Sequence, residues 1–297
     1  MNTIIIVVVI VFLLAILDGM ATFIPTVCRN NQEIPDDESL TNEEERAWFN
    51  QHAEEVTLTS KDGLKLVGYE FRQKEKSDVW IVLIHGHRIN AKLAMSPEFF
   101  YQKGWNVFCP DLRAHGKSQG KYIGMGWLDR KDILLWIDLI INENPNCKMV
   151  LFGGSMGGAT VMMTAGESLP KEVKCGISDS GFTSAWELVK YILNHNFHLP
   201  AFPTLHLANV ISRVLAGFSL KQASSVEQLK KSKLPMLFIH GTADQAVPFE
   251  MLEEVYEAAG GSKQKEVFIE AGHVASYRKE PERYWKCVFE FIEKHLG

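Results

Sequence analysis

The feature that most constrains this fold is a change of pattern at residue 79. Before it, "VTLTS" and "LKLVGYEF" flank "KDG", and polar residues alternate with apolar ones. That is the signature of an antiparallel hairpin turning at Asp62-Gly63. From 79 onward, "VWIVLIHG" is a continuous apolar run, as expected of a strand covered on both faces. Further strand segments follow: "WNVFCPD", "CKMVLFGG", "VKCGISDS", "LPMLFIHG" and "KEVFIEAG". Between them lie a stretch expected to be helical to about Lys103, then "WLDRKDILLWIDLIIN", "SMGGATVMMTAGESL" and "PFEMLEEVYEAA", with "RYWKCVFEFIEKHL" closing the chain as an amphipathic helix. Two leading antiparallel strands followed by strand-helix alternation predict an α/β fold, a mostly parallel sheet with helices on both faces. The chain has 297 residues, 46% of them hydrophobic, enough for one large domain of this kind or two small ones.

In such sheets function gathers beyond the carboxyl ends of the strands. Here those ends carry His85-Gly86-His87, Asp111-Leu112-Arg113, Ser155, Asp179, Asp244 and His273. Ser155 lies in "LFGGSMGGATV" (151–161), a glycine-rich turn between a strand and a helix. Such a turn aims backbone N–H groups either at a phosphate or at an oxyanion. The dinucleotide fingerprint fails because Ser155 stands at its middle glycine, and no P-loop lysine follows. Gly153-Gly154-Ser155-Met156-Gly157 does match G-x-S-x-G, the strained elbow that exposes a nucleophilic serine.

A serine hydroxyl needs an imidazole to take its proton, and the imidazole needs an acid to fix its tautomer. The order Ser155, Asp244, His273 is the one expected when the elbow belongs to a hydrolase sheet. His273 is the expected base and Asp244 the expected acid, with Asp179 as the alternative acid because it too ends a strand. Backbone N–H groups of Met156 and His87 are the expected oxyanion donors. Asp111, Arg113 and His115 are expected to brace the adjacent loop. A metal site from His85, His87 and His240 lacks a carboxylate at ligand spacing, so none is expected.

The stretches "LIHGHRINA", "PDLRAHGKSQGKYIGMGWLDRKDI", "GGSMGGATVMMTAGE", "LPMLFIHGTADQAVPFEM" and "EAGHVASY" resemble the α/β-hydrolase superfamily. In particular they are similar to its bacterial serine-aminopeptidase-like and esterase/lipase-like branch. The resemblance runs from about Val56 to the C-terminus. It implies the α/β-hydrolase fold, a Ser-Asp-His triad on Ser155, Asp244 and His273, and no cofactor.

Three regions lie outside that pattern. Residues 1–25 open with seventeen residues free of side-chain charge, "MNTIIIVVVIVFLLAIL". At ~1.5 Å per residue they span about 25 Å, slightly short of a ~30 Å hydrocarbon core. A single-pass anchor is expected, since a signal peptide normally has a basic n-region and this one has none; a secreted protein is the alternative. The acidic flank after it points to a hydrolase domain outside the cell. Residues 26–52 read as an acidic linker and a short helix, whose capping box pairs Thr41 with Glu44. Within the hydrolase domain, 53–297, the segment 184–232 interrupts the alternation and reads as a small helical cap shaping the substrate pocket. Net charge is −5, which gives no footprint for nucleic acid. The five scattered cysteines show no disulfide or metal spacing.

The expected function is a serine hydrolase acting on small-molecule carboxylic esters through an acyl-enzyme. A serine peptidase acting on short peptides and an acyltransferase use the same triad and remain open. An inactive, membrane-tethered binding module on the same fold is the alternative of another class.

Overall fold

A computed structural model describes residues 2–29, 43–93, 95 and 97–297. Its centre is one eight-stranded sheet: β1 (Glu54–Thr59), β2 (Lys65–Phe71), β3 (Val79–Ile84), β4 (Asn106–Asp111), β5 (Lys148–Gly154), β6 (Val173–Asp179), β7 (Met236–Gly241) and β8 (Lys263–Phe268). Spatial order is β1-β2-β4-β3-β5-β6-β7-β8. β2 pairs antiparallel with both β1 and β4, and all later pairs are parallel. The expected hairpin closes at Gly63, whose φ of +85° suits glycine. The fold is that of the α/β hydrolases.

The helices are α1 (Asn2–Val27), α2 (Glu43–His52), α3 (Glu98–Tyr101), α4 (Asp129–Glu143), α5 (Met156–Ala165), α6 (Ala185–Asn196), α7 (Thr204–Leu215), α8 (Ser225–Leu229), α9 (Met251–Ala258), α10 (Ser276–Lys279) and α11 (Pro281–Leu296). Both sheet faces are buried. Trp80, Val82, Phe108, Met149 and Leu151 look one way, toward Trp136, Ile137 and Met162. Ile81, Leu83, Val107, Val150 and Phe152 look the other way, toward Phe100, Tyr284 and Phe291. Covering on both sides is why these strands read as apolar runs. The helix expected up to Lys103 is instead a 3-10 turn at Ala91–Leu93 and the single turn of α3. Pro97 lies between them, and proline disfavours helical backbone in the residue before it.

The strand order reverses between β3 and β5. Chain running from β3 goes to β4 on one side, then returns to β5 on the other. A crevice opens at such a switch point, and here it lies between His85–His87 and Ser155.

The N-terminal segment is more closely tied to the fold than the sequence suggests. Among the described residues no helix is long and apolar enough to cross a membrane, so the single-pass span expected of residues 1–25 is not supplied. The uncharged run ends at Asp18, and from there α1 packs against α7. The Asp18 carboxylate accepts a hydrogen bond from Thr204 Oγ1 (2.8 Å), and Gly19 brings the two helices into backbone contact beside Leu207 and Ile211. Phe23 and Val27 are buried in the core. The chain then stitches onto the loop after β4. Ile123 donates its N–H to Val27 O (2.6 Å), and the Arg29 guanidinium donates to Ser118 O (2.6 Å) and Gly116 O (2.8 Å). From residue 30 the acidic linker, with Thr41 of the capping box, lies outside the described residues; α2 begins at Glu43.

Candidate active site

Ser155 sits between β5 and α5 with φ 56° and ψ −121°, a backbone conformation a side chain rarely adopts. Strain of this kind costs on the order of 1–3 kcal/mol and persists only where the surroundings impose it. The surroundings here are close backbone contacts. A Cβ on Gly157 would stand 2.0 Å from Ile84 O, and one on Gly153 would stand 2.3 Å from Gly157 O. Ser155 N–H donates to Asp179 O (2.8 Å), pinning the elbow to β6. Two further residues beside the crevice share positive φ, Arg88 (60°) and Val274 (48°).

The three sequence-predicted residues converge. Ser155 Oγ lies 2.8 Å from His273 Nε2, and His273 Nδ1 lies 2.8 Å from Asp244 Oδ2. With Nδ1–H donating to the carboxylate, Nε2 is free to accept the serine proton. The Asp244 side chain is fully buried, while His273 is partly open. Burial pushes the Asp244 carboxyl up, but hydrogen bonds from His240 and His273, the His273 charge and the Val247 N–H outweigh it and hold it well below the usual carboxylate range. Its Oδ1 accepts from Ala246 N–H and Val247 N–H, both at 2.9 Å. An anion so satisfied stays ionised and stabilises an imidazolium beside it.

Asp179, the alternative acid, does something else. It is fully buried and accepts from Tyr284 Oη (2.8 Å) and Ser180 Oγ (3.2 Å). Ser180 Oγ in turn accepts from Val274 N–H (3.2 Å), the residue after His273. Asp179 therefore braces the turns of both Ser155 and His273. Ser180, Tyr284 and His240 were not singled out for this site from sequence. His240 Nε2–H reaches Asp244 Oδ2 (3.2 Å) and Val247 O (3.0 Å), so the histidine weighed as a metal ligand orients the acid. Its four-residue spacing from Asp244 was the readable signal.

Met156 opens α5, so its N–H belongs to the first turn, whose donors have no partner within the helix. His87 lies across the crevice, at the end of β3. Its side chain is engaged elsewhere: Nε2–H donates to Thr26 O of α1 (2.9 Å). Burial pushes its pKa down to about 4, so the ring is neutral at pH 7. Its neighbours are neutral with fixed tautomers too. His85 accepts from Leu112 N–H (3.0 Å), and His115 accepts from Arg88 N–H (3.1 Å). The expected loop braces are in place. Asp111 accepts from Ala91 and Lys117 N–H, and Arg113 forks onto Asp132 and Asp62. Among the described residues no group of three His, Cys, Asp or Glu is arranged to hold a metal ion.

A cleft of ≈370 Å³ opens over Ser155 and His273. Its walls are Ile89, Leu93 and Met95 on one side and Val274, Tyr277 and Arg278 on the other. The segment 184–232 is helical as expected, but no described residue of it lines this cleft. The pocket is walled by the turns after β3 and after His273 rather than by the cap.

Residues 94–297 match the model of the prolyl oligopeptidase family. The chain belongs to that family. It is 28% identical over 238 residues to the uncharacterized protein YqkD of Bacillus subtilis, covering 80% of this chain and 78% of YqkD. It is 24% identical over 220 residues to the uncharacterized membrane protein YNL320W of Saccharomyces cerevisiae, covering 71% and 70%. Among solved structures, the esterase Pf2001 of Pyrococcus furiosus superposes with a TM-score of 0.66 at 25% identity, covering 90% of this chain and 97% of the esterase. The acylaminoacyl peptidase of Pyrococcus horikoshii gives 0.62 at 22% identity over 82% of this chain and 41% of its own, a likeness of fold. Family and fold together make this chain a serine hydrolase of the α/β-hydrolase type.

Proposed function

We propose that the chain is a carboxylic ester hydrolase working through an acyl-enzyme. The observation that carries the reading is the continuous line from Ser155 Oγ through His273 to the buried Asp244 carboxylate, with both links at 2.8 Å. Ser155 Oγ attacks the ester carbonyl carbon while His273 Nε2 takes its proton. The carbonyl oxygen becomes an oxyanion facing the backbone N–H groups of Met156 and His87. Collapse of this intermediate breaks the bond to the alkoxy group, which leaves with the proton from His273. Water, deprotonated by the same imidazole, then attacks the acyl carbon and releases the acid and Ser155. Asp244 keeps Nδ1–H in place and balances the charge on His273 at each stage.

The cleft favours esters over peptides with a free amino end. Its described walls are largely apolar, contain no carboxylate to hold an ammonium group, and present Arg278. At ≈370 Å³ it is at the small end of ligand pockets, which run from about 300 to 1,000 Å³, so small and medium acyl groups fit it. The likeness to an esterase agrees with this. The exposed apolar half of α1 supports a place at a membrane, with the hydrolase domain on the outer side, since no basic cluster follows the apolar run.

The test is a fluorophosphonate probe on the full chain and on Ser155→Ala, with p-nitrophenyl esters of increasing acyl length and an aminoacyl-nitroanilide. Labelling that vanishes in Ser155→Ala, with turnover of the shorter esters, is expected. A folded wild type that takes no label would overturn the reading. Preference for the nitroanilide would replace the esterase by a peptidase.

A further inference from the structure

Exposed apolar side chains are concentrated on one part of this molecule. Among the described residues, every exposed large hydrophobic side chain except Phe99 and Ile269 lies on α1 or in the segment 197–215. On α1 these include Ile6, Ile10, Leu14 and Leu17. On the cap the most open are Phe197, Phe202 (71% exposed), Val210 and Val214 (74% exposed). Soluble surfaces scatter such residues singly, and a concentration marks a contact surface.

The two sets are joined. α7 buries Leu205, Ala208 and Ser212 toward the core and turns Leu207 and Ile211 toward Gly19 of α1. Val210 and Val214, one helical turn apart, form a third stripe that faces outward beside α1. The segment 197–215 has one charged side chain, Arg213, and no carboxylate, and residues 2–17 of α1 have no charged side chain. α1 also enters the fold as one helix, locked by Asp18–Thr204, by Phe23 and Val27 in the core and by the Arg29 bonds to the loop after β4. The direction of its apolar half is thus fixed relative to α7.

We propose that the cap face formed by Phe197, Leu199, Phe202, Val210 and Val214 docks on a lipid bilayer, the same one that receives the apolar half of α1. The reading rests on the membrane association proposed above and adds a second contact to it. The bilayer suits the chemistry: the face is apolar, uninterrupted by acids, and carries Arg213 for anionic headgroups. Because α1 continues into the domain without a flexible joint, insertion of its apolar half brings the α7 face toward the same surface.

The test uses the full chain in nanodiscs of phosphatidylcholine and phosphatidylglycerol, one chain per disc. Cys28, the one cysteine not buried, is replaced by serine. Single labelling sites are introduced as Phe202→Cys, Val214→Cys and, at the amino end of β6, Lys171→Cys, each carrying an environment-sensitive dye. Each labelled variant is first checked for unchanged ester turnover. The expected result is a blue shift and quenching by doxyl-labelled lipid at 202 and 214, with neither at 171. Disc-bound protein whose 202 and 214 dyes report water would overturn the docking face and leave the anchoring intact. A blue shift seen only with two chains per disc and without lipid quenching would replace the bilayer by a second copy. A chain that does not associate with discs would overturn the membrane association and the docking with it.

Discussion

Replacing Gly157 by alanine forces the elbow away from β3. The added Cβ would stand 2.0 Å from Ile84 O, 2.7 Å from Ile84 C and 2.8 Å from His85 O, and real Cβ contacts essentially never fall under 3.0 Å. All three neighbours are backbone, so none can rotate away, and the two segments must part by about 1 Å. Overpacking of this size costs about 1–3 kcal/mol. At about 2–4 °C per kcal/mol for a large domain, Tm should fall by several degrees. The activity loss should be larger in proportion. The displaced strand end carries His87, and a shift of about 1 Å in an active site costs on the order of 10²-fold. The assay is kcat for the best ester substrate and thermal unfolding on the same preparation. Gly272→Ala is the control, one residue before His273, because a Cβ there meets nothing within 4 Å. It should match wild type in both measurements. A Gly157→Ala protein with wild-type kcat and Tm would refute the close approach. A lowered Tm with unchanged kcat would refute the part given to the end of β3 in the chemistry.

The two buried acids should separate. Asp244→Asn should keep the fold and lower kcat by roughly 10⁴-fold, because the amide no longer fixes the His273 tautomer, whereas Asp179→Asn should lower Tm and keep much of the activity per folded molecule; unfolding curves and active-site titration of both variants decide this. Phe23→Ala should destabilise the full chain by about 3–5 kcal/mol, since Phe23 is 1% exposed, and an unchanged denaturation midpoint would make α1 a mere tether. Burial pushes the Asp129 carboxyl up to about 6. Its folded pKa is raised above the unfolded value, so its contribution is favourable below about pH 4 and is lost as pH rises through about 6. Asp129→Asn should therefore raise Tm at pH 7.5, by an amount equivalent to at most about 3 kcal/mol, and change it little at pH 4.5. A Tm–pH profile parallel to wild type would refute the account.

Much of this was legible in the sequence, for a physical reason. Strands buried on both faces cannot hide among loops, so six of the eight strands, β2 to β7, fall within segments read from the sequence pattern, while the more exposed edge strands β1 and β8 each begin two residues before theirs. The residues that end those strands are also where the polar groups of the crevice gather, which is why Ser155, Asp244 and His273 could be named together. What the pattern does not encode is where an amphipathic helix goes once its apolar face is known. The segment 184–232 reads as helical and is so, yet its placement over the pocket does not follow, and the cleft is walled by Ile89, Leu93 and Met95 and by Val274, Tyr277 and Arg278 instead. The same limit hid the docking of α1. Asp18 and Gly19 read as a break inside the apolar segment 1–25, while their partners Thr204, Leu207 and Ile211 lie far along the chain. Tyr284 gave no signal, because a tyrosine on an amphipathic helix differs from any core aromatic only through the acid it meets.

The distance between Asp18 and Thr204 in the chain, 186 residues, sets an order of events during synthesis. At about 5–20 residues per second the ribosome needs on the order of 10–40 s to make α7 after α1 has emerged. Phe23 and Val27 can meet Tyr122 and Ile123 earlier, but through that interval the face of α1 around Gly19 lacks the cover that α7 gives it. A holdase or a membrane can occupy that face in the meantime. When α7 arrives, the second half of α1 has to be released to it while the first half stays where it is. A chain whose first helix is captured too deeply would complete its sheet but leave Thr26 out of reach of His87. Assembly of the crevice thus depends on how the earliest residues are handled, long before the nucleophile itself has been translated.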